Sequence, residues 1–177
     1  MKNYLIAFLI SLCFISNVFA LTQDTKNLAV STITDIDNTI SKYGLNKDIY
    51  SANGANINKH YIFAHEKYYS EILASVNILL SKIDTKDEQV YQLFTEIKAH
   101  LEKILTLNII RGFIIEDKRL SDNYINWLEK NYAQLFNPEQ PYKNKHDLDR
   151  TFVEDIVKSF DVVCNIKYKI SKLLIAQ

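Results

Sequence analysis

Two cysteines, two prolines and three glycines in 177 residues leave little material for turns or crosslinks. So little Gly and Pro excludes a turn-rich all-β fold, and equally a low-complexity or disordered chain. Charge of one sign is missing too: 21 Lys+Arg balance 21 Asp+Glu, so the sequence offers no electrostatic grip on nucleic acid or on an anionic membrane surface. The glycines stand singly at Gly44, Gly54 and Gly112, which excludes a Gly-rich phosphate loop. What remains is 47% hydrophobic and 24% charged, the composition of a mostly helical globular protein.

The only long apolar run is at the start. Lys2 forms a positive head, Leu5 to Ile15 is interrupted only by Ser11, and Val18-Phe19-Ala20 puts small residues where a signal peptidase reads. The pattern predicts a signal peptide over residues 1–20, cleaved after Ala20, and hence a periplasmic or secreted protein. As an uncleaved anchor the run is short of the roughly 18 apolar residues a span requires. A lipoprotein site at Cys13 is disfavoured by Leu12, where a small residue is needed. Residues 21–177 then form one domain with no stable membrane insertion and enough chain for a core. Cys164 is left alone, so no internal disulfide staples the exported chain.

The mature sequence has a helical period nearly throughout. Ala29, Ile33, Ile36, Ile40 and Tyr43 share one face, with Gly44 as a C-terminal cap and Leu45 to Asn56 as a loop. A second helix runs from Ile57 through Tyr61, Tyr68, Ile72, Val76 and Leu79 to Ile83. Thr85-Lys86-Asp87-Glu88 has the form of a capping box and predicts a third, carrying Val90, Leu93, Phe94, Ile97, Leu101, Ile104 and Leu105. Its stripe weakens at Arg111-Gly112, and Phe113-Ile114-Ile115 reads as a helical turn, since no second strand exists to pair with it. Ser121 caps a short fourth helix bearing Tyr124, Ile125, Leu128, Tyr132 and Leu135, ended by Asn137-Pro138. The last starts at Asp147 as N-cap and buries Phe152, Val153, Ile156, Val157, Phe160, Val163, Cys164, Ile170 and Leu174. Its early acids and late Lys167, Lys169 and Lys172 suit the helix dipole, which explains the basic C-terminus better than a binding patch does. The fold class is all-α: an antiparallel bundle of four long helices plus one short helix.

Motifs for chemistry are scarce. The mature chain has one cysteine and therefore no Cys-x-x-Cys-His haem site. Asp35-Ile36-Asp37-Asn38 opens like a calcium loop, but Ile40 stands where the sharp turn needs Gly. No serine sits in a Gly-x-Ser-x-Gly elbow, and Cys164 on an apolar face reads as an inert hydrophobe. The histidines are the sharpest pattern. His65 lies on the stripe of the second helix, and His100 borders that of the third with Glu96 one turn before it. Antiparallel neighbours bring such faces together, and His65, Glu96 and His100 would suit zinc or iron. The plainer alternative is His100 paired with Glu96 and His65 bonded to a tyrosine hydroxyl. His146 beside Asp147 and Asp149 is a weaker surface set. Eleven tyrosines exceed what the stripes use: Tyr50, Tyr69, Tyr91 and Tyr142 fall off them, and Tyr50 and Tyr142 are the candidates for a partner surface.

The resulting expectation is an exported, non-enzymatic helical protein that acts by binding an unidentified protein partner and needs no cofactor. A bundle binding metal or a small ligand through His65, Glu96 and His100 stands as the alternative.

Overall fold

The computed structural model describes residues 21–43, 59–83, 86–141 and 143–176, with the side chains of the second helix described from Glu66 onward. The expected signal segment, Gly44 with the expected loop after it, Tyr50, Thr85 and Tyr142 lie outside the described residues, as does the side chain of His65. Among the described residues the chain is all-helical, with five helices and no strand. They are α1 (Gln23–Tyr43), α2 (Lys59–Leu80), α3 (Glu88–Ile115), α4 (Asp122–Tyr132) and α5 (Lys145–Ile175). None is long and apolar enough to cross a membrane.

Each helix buries a stripe at three- and four-residue spacing, as a 3.6-residue period requires. On α1 the stripe is Thr25, Ala29, Ile33 and Ile36; on α3 it is Val90, Phe94, Ile97, Leu101 and Ile104, continued by Leu107, Ile110 and Ile114. Phe152, Ile156, Phe160, Val163, Ile166, Ile170 and Leu174 form that of α5, and the apolar members of all three stripes meet in one core. The pairings are α1 with α2, α2 with α3, α3 with α5 and, over a thinner seam, α1 with α5. Direction follows from two ion pairs: Arg111 meets Asp149 and Lys103 meets Asp155, so residue numbers fall on α3 as they rise on α5 and the two run antiparallel.

Several boundaries differ from the sequence expectation, each for a local reason. α1 starts six residues before Ala29, because the Thr22 hydroxyl accepts from the Thr25 N–H at 3.2 Å and serves as the cap. α3 begins at Glu88 with Asp87 as N-cap, so Glu88 opens the helix and does not occupy the third position of a capping box. The Asp87 carboxylate is used elsewhere: it accepts from the Thr22 N–H at 3.3 Å and the Thr22 hydroxyl at 2.9 Å, tying the start of α1 to the start of α3. α3 passes through Arg111 and Gly112 without a break to Ile115. α5 begins at Lys145 with Asn144 as N-cap, which corrects the assignment of Asp147. Asp147 sits in the first turn and accepts from Arg150 at 2.7 Å. On α2 the buried tyrosine is Tyr69, with Tyr68 only packed against the core; the stripe Tyr69, Ile72, Val76, Leu79, Ile83 keeps a three-four-three-four period. Tyr69 is therefore a core residue and not an off-stripe one, edge-on to Phe160 at 5.9 Å.

Candidate functional site

The polar chemistry of the described residues is concentrated where α3, α4 and α5 meet. α4 is held there by aromatic contacts. Tyr132 lies edge-on to Phe152 of α5 with centroids 4.9 Å apart, Trp127 flanks Tyr132 at 5.6 Å, and Tyr124 touches Phe113 of α3 at 6.1 Å. The Tyr132 hydroxyl then donates to Oδ2 of Asp155 at 2.7 Å, and Nζ of Lys103 approaches the same oxygen at 3.3 Å. One carboxylate thus joins a helix on either side of its own. Burial, and then the adjoining Asp155 carboxylate, pushes the Tyr132 phenol far above the ordinary tyrosine value of about 10. The phenol is consequently a fixed hydrogen-bond donor throughout the physiological range.

Two turns along α3, Nε of Arg111 donates to Oδ1 of Asp149 at 2.7 Å, with the two side chains only 7% and 14% exposed. On the same helix Asn108 is 1% exposed, and neither its Nδ2 nor its Oδ1 has a hydrogen-bond partner. A buried amide left in that state works against folding, since both groups have lost water without replacement. Sequence reasoning missed this polar layer. Its only trace was the weakening of the apolar stripe near Arg111.

The residues singled out from the sequence are placed as follows. Glu96 is exposed on α3, and His100, one turn later, is half-buried with a buried Nδ1 that has no hydrogen-bond partner. The expected pairing of His100 with Glu96 is therefore not made through that nitrogen. Across from this part of α3 runs α2, which carries His65. Among the described residues no group of three or more His, Cys, Asp or Glu side chains is arranged to hold a metal ion. His146 is exposed in the first turn of α5, while Asp147 and Asp149 are engaged by Arg150 and Arg111. Cys164 is a half-buried thiol beside the core and is in no disulfide.

A second feature is apolar. Five large hydrophobic side chains stand exposed among the described residues: Val30, Ile78, Tyr91, Tyr168 and Ile175. All five fall in one half of the molecule. The Thr22–Asp87 tie puts the starts of α1 and α3 together, a short link brings the end of α2 there, and the antiparallel run of α5 against α3 brings its end. Val30 and Tyr91 are near those starts, and Ile78, Tyr168 and Ile175 near those ends.

No protein-family model, no curated protein and no solved structure matches this chain.

Proposed function

We propose that the mature chain is an exported antiparallel bundle of four long helices and one short helix that works, without catalysis, by binding another protein. The observation that carries this reading is that, among the described residues, the five exposed large apolar side chains all fall in one half of the molecule. Single exposed apolar residues are ordinary on any surface, but their segregation to one half is the pattern of an interaction surface. The polar network of α3, α4 and α5 supports the same view from the other side. Its charges are spent on one another and hold helices, with Tyr132 locked as a donor and Arg111 locked on Asp149.

The test has two parts. Produced from its own sequence in a Gram-negative host, the protein recovered from the periplasm or medium should have an intact mass beginning at Leu21. A photo-reactive residue placed in turn at Ile78, Tyr91, Tyr168 and Ile175 should, in the native host, give at least one discrete heavier adduct. Recovery in the membrane with residues 1–20 attached would remove the export reading, and no adduct from any position would remove the binding one.

A metal-binding reading is kept by one observation, the buried and unpartnered Nδ1 of His100 one turn from Glu96. With His65 on the neighbouring helix, these residues would take zinc or iron through imidazole and carboxylate donors. Calorimetric titration of zinc into metal-free protein at pH 7.5 decides it: stoichiometric heat lost in H65Q and H100Q favours the metal, and no heat disposes of it.

A further inference from the structure

The last four turns of α5 carry two stripes. Val163, Ile166, Ile170 and Leu174 are buried, and on the other side Tyr168, Lys172 and Ile175 follow one another at spacings of four and three. That outer stripe is the more unusual. Tyr168 is 60% exposed and Ile175 82% exposed, and the ammonium of Lys172 lies 5.3 Å from the centre of the Tyr168 ring, stacked between the two apolar residues. Lys169 is exposed on the flank of that stripe away from Lys167. From Val162 to Gln177 the sequence contains three lysines and no acid. Lys167 is already paired with Asp37 of α1, whereas Lys169 and Lys172 make no ion pair among the described residues.

The same ion pair fixes what lies next to the stripe. Asp37 and Val30 are seven residues apart and so share one face of α1, the face turned to α5. Val30 is about 10 Å from Asp37 along α1, and Ile175 about 12 Å from Lys167 along α5, in the same direction because the helices are antiparallel. Exposed Val30 and exposed Ile175 therefore flank the open end of the α1–α5 seam at one level.

We propose that this surface, Tyr168 and Ile175 with Lys169, Lys172 and Val30, docks an amphipathic helix of an acidic partner protein. The inference rests on the binding function proposed above and names its surface and the chemistry of its partner. A helix laid along the stripe presents apolar residues at i and i+7, which matches Tyr168 and Ile175, and carboxylates between and beside them would meet Lys172 and Lys169. A second copy of this chain is a poorer occupant. A two-fold contact brings the same patch against itself and opposes the lysines to each other. An anionic bilayer is poorer as well, since two lysines and three apolar side chains fall short of the combined signals that stable membrane attachment requires.

The experiment uses the full chain in its native host with benzoylphenylalanine at Tyr168 or at Ile175, and at Ile78 and Tyr91 as comparison positions. The expected result is an adduct from Tyr168 and Ile175, absent from Ile78 and Tyr91, whose cross-linked peptide belongs to an acidic helical segment of another protein. It should fall at least tenfold in the double variant K169E/K172E, whose circular dichroism and melting curve should match the parent. Adducts confined to Ile78 or Tyr91 would overturn this surface and leave the binding function standing; adducts from no position would end both. A self-adduct at Tyr168 overturns it in favour of a second copy. Co-sedimentation of the purified protein with vesicles of 30% phosphatidylglycerol, lost in K169E/K172E, overturns it in favour of a membrane.

Discussion

The two seams of α5 are built on different principles. Against α3 and α4 it is locked by charge and aromatic contact, with Arg111 on Asp149, Lys103 and Tyr132 on Asp155, and Tyr132 edge-on to Phe152. Against α1 it is joined by the ion pair of Asp37 with Lys167, whose aspartate side is 52% exposed, and by a short run of contacts. Exposed pairs contribute little and are screened by salt, whereas a buried pair penalises heavily any change that strands one partner. The α3–α5 seam therefore fixes how helices are arranged, and the α1–α5 seam is the side with surface left over for something else.

Four substitutions bear on that contrast. Arg111→Met strands the Asp149 carboxylate and should cost roughly 3 kcal/mol in urea denaturation, while the double variant R111M/D149L should recover much of it. A loss under 1 kcal/mol would show that the locked seam is no stronger than the exposed one. Asn108→Leu acts in the opposite direction. It removes an amide with no partner and fills a similar volume, and should stabilise the protein by about 1 to 2 kcal/mol; destabilisation would show that Asn108 is satisfied in solution, for example by an ordered water. Tyr132→Phe should cost about 1.5 kcal/mol, the value of a hydrogen bond to a charged acceptor. Smallest of all, Asp37→Asn should change stability by less than about 0.5 kcal/mol, and that change should vanish in 1 M salt.

Tyr132 also sets a pH dependence whose sign is fixed. Its phenol is favoured in the neutral form by folding, so above the ordinary value of about 10 the unfolded chain releases a proton that the folded chain retains. Stability from this residue is thus complete below that value and is lost as pH rises through the folded one. By absorbance at 295 nm fewer tyrosines should titrate near pH 10 in the native wild type than after unfolding in urea, and that deficit should be smaller by one in Y132F.

Helix type and core faces were legible in the sequence because a 3.6-residue period is a local property: Ile33, Ile36, Val90, Phe94, Phe152 and Ile156 were assigned correctly from spacing alone. The errors came from residues whose role depends on a distant partner. Asp87 resembled part of a capping box until Thr22 claimed its carboxylate. Asp147 resembled a cap because Asn144, three residues earlier, carries less of an N-terminal signature beside His146 and Lys145. Tyr68 and Tyr69 are adjacent, and only Phe160 across the core decides which is buried. For the site the sequence told less. The buried Arg111–Asp149 pair left a gap in a stripe, and the exposure of Tyr168 and Ile175 on a helix that also has a full buried stripe is a fact of packing, which no periodicity reports. The basic C-terminus, read from sequence as matching the helix dipole, enters the proposed docking surface only once its lysines are placed near those two side chains.

The Asp37–Lys167 contact closes a loop of 130 residues, against 38 for Arg111–Asp149. Bringing such distant ends together costs about 1 kcal/mol more in chain entropy than closing the shorter loop, and the Asp37–Lys167 pair, being exposed, offsets little of it. The shorter closure predicts that α3, α4 and α5 assemble before α1 docks. Amide hydrogens of α1 should accordingly exchange through a partial opening that leaves those of α3 and α5 protected, and the docking seam of the proposed partner would be the hinge line of that opening.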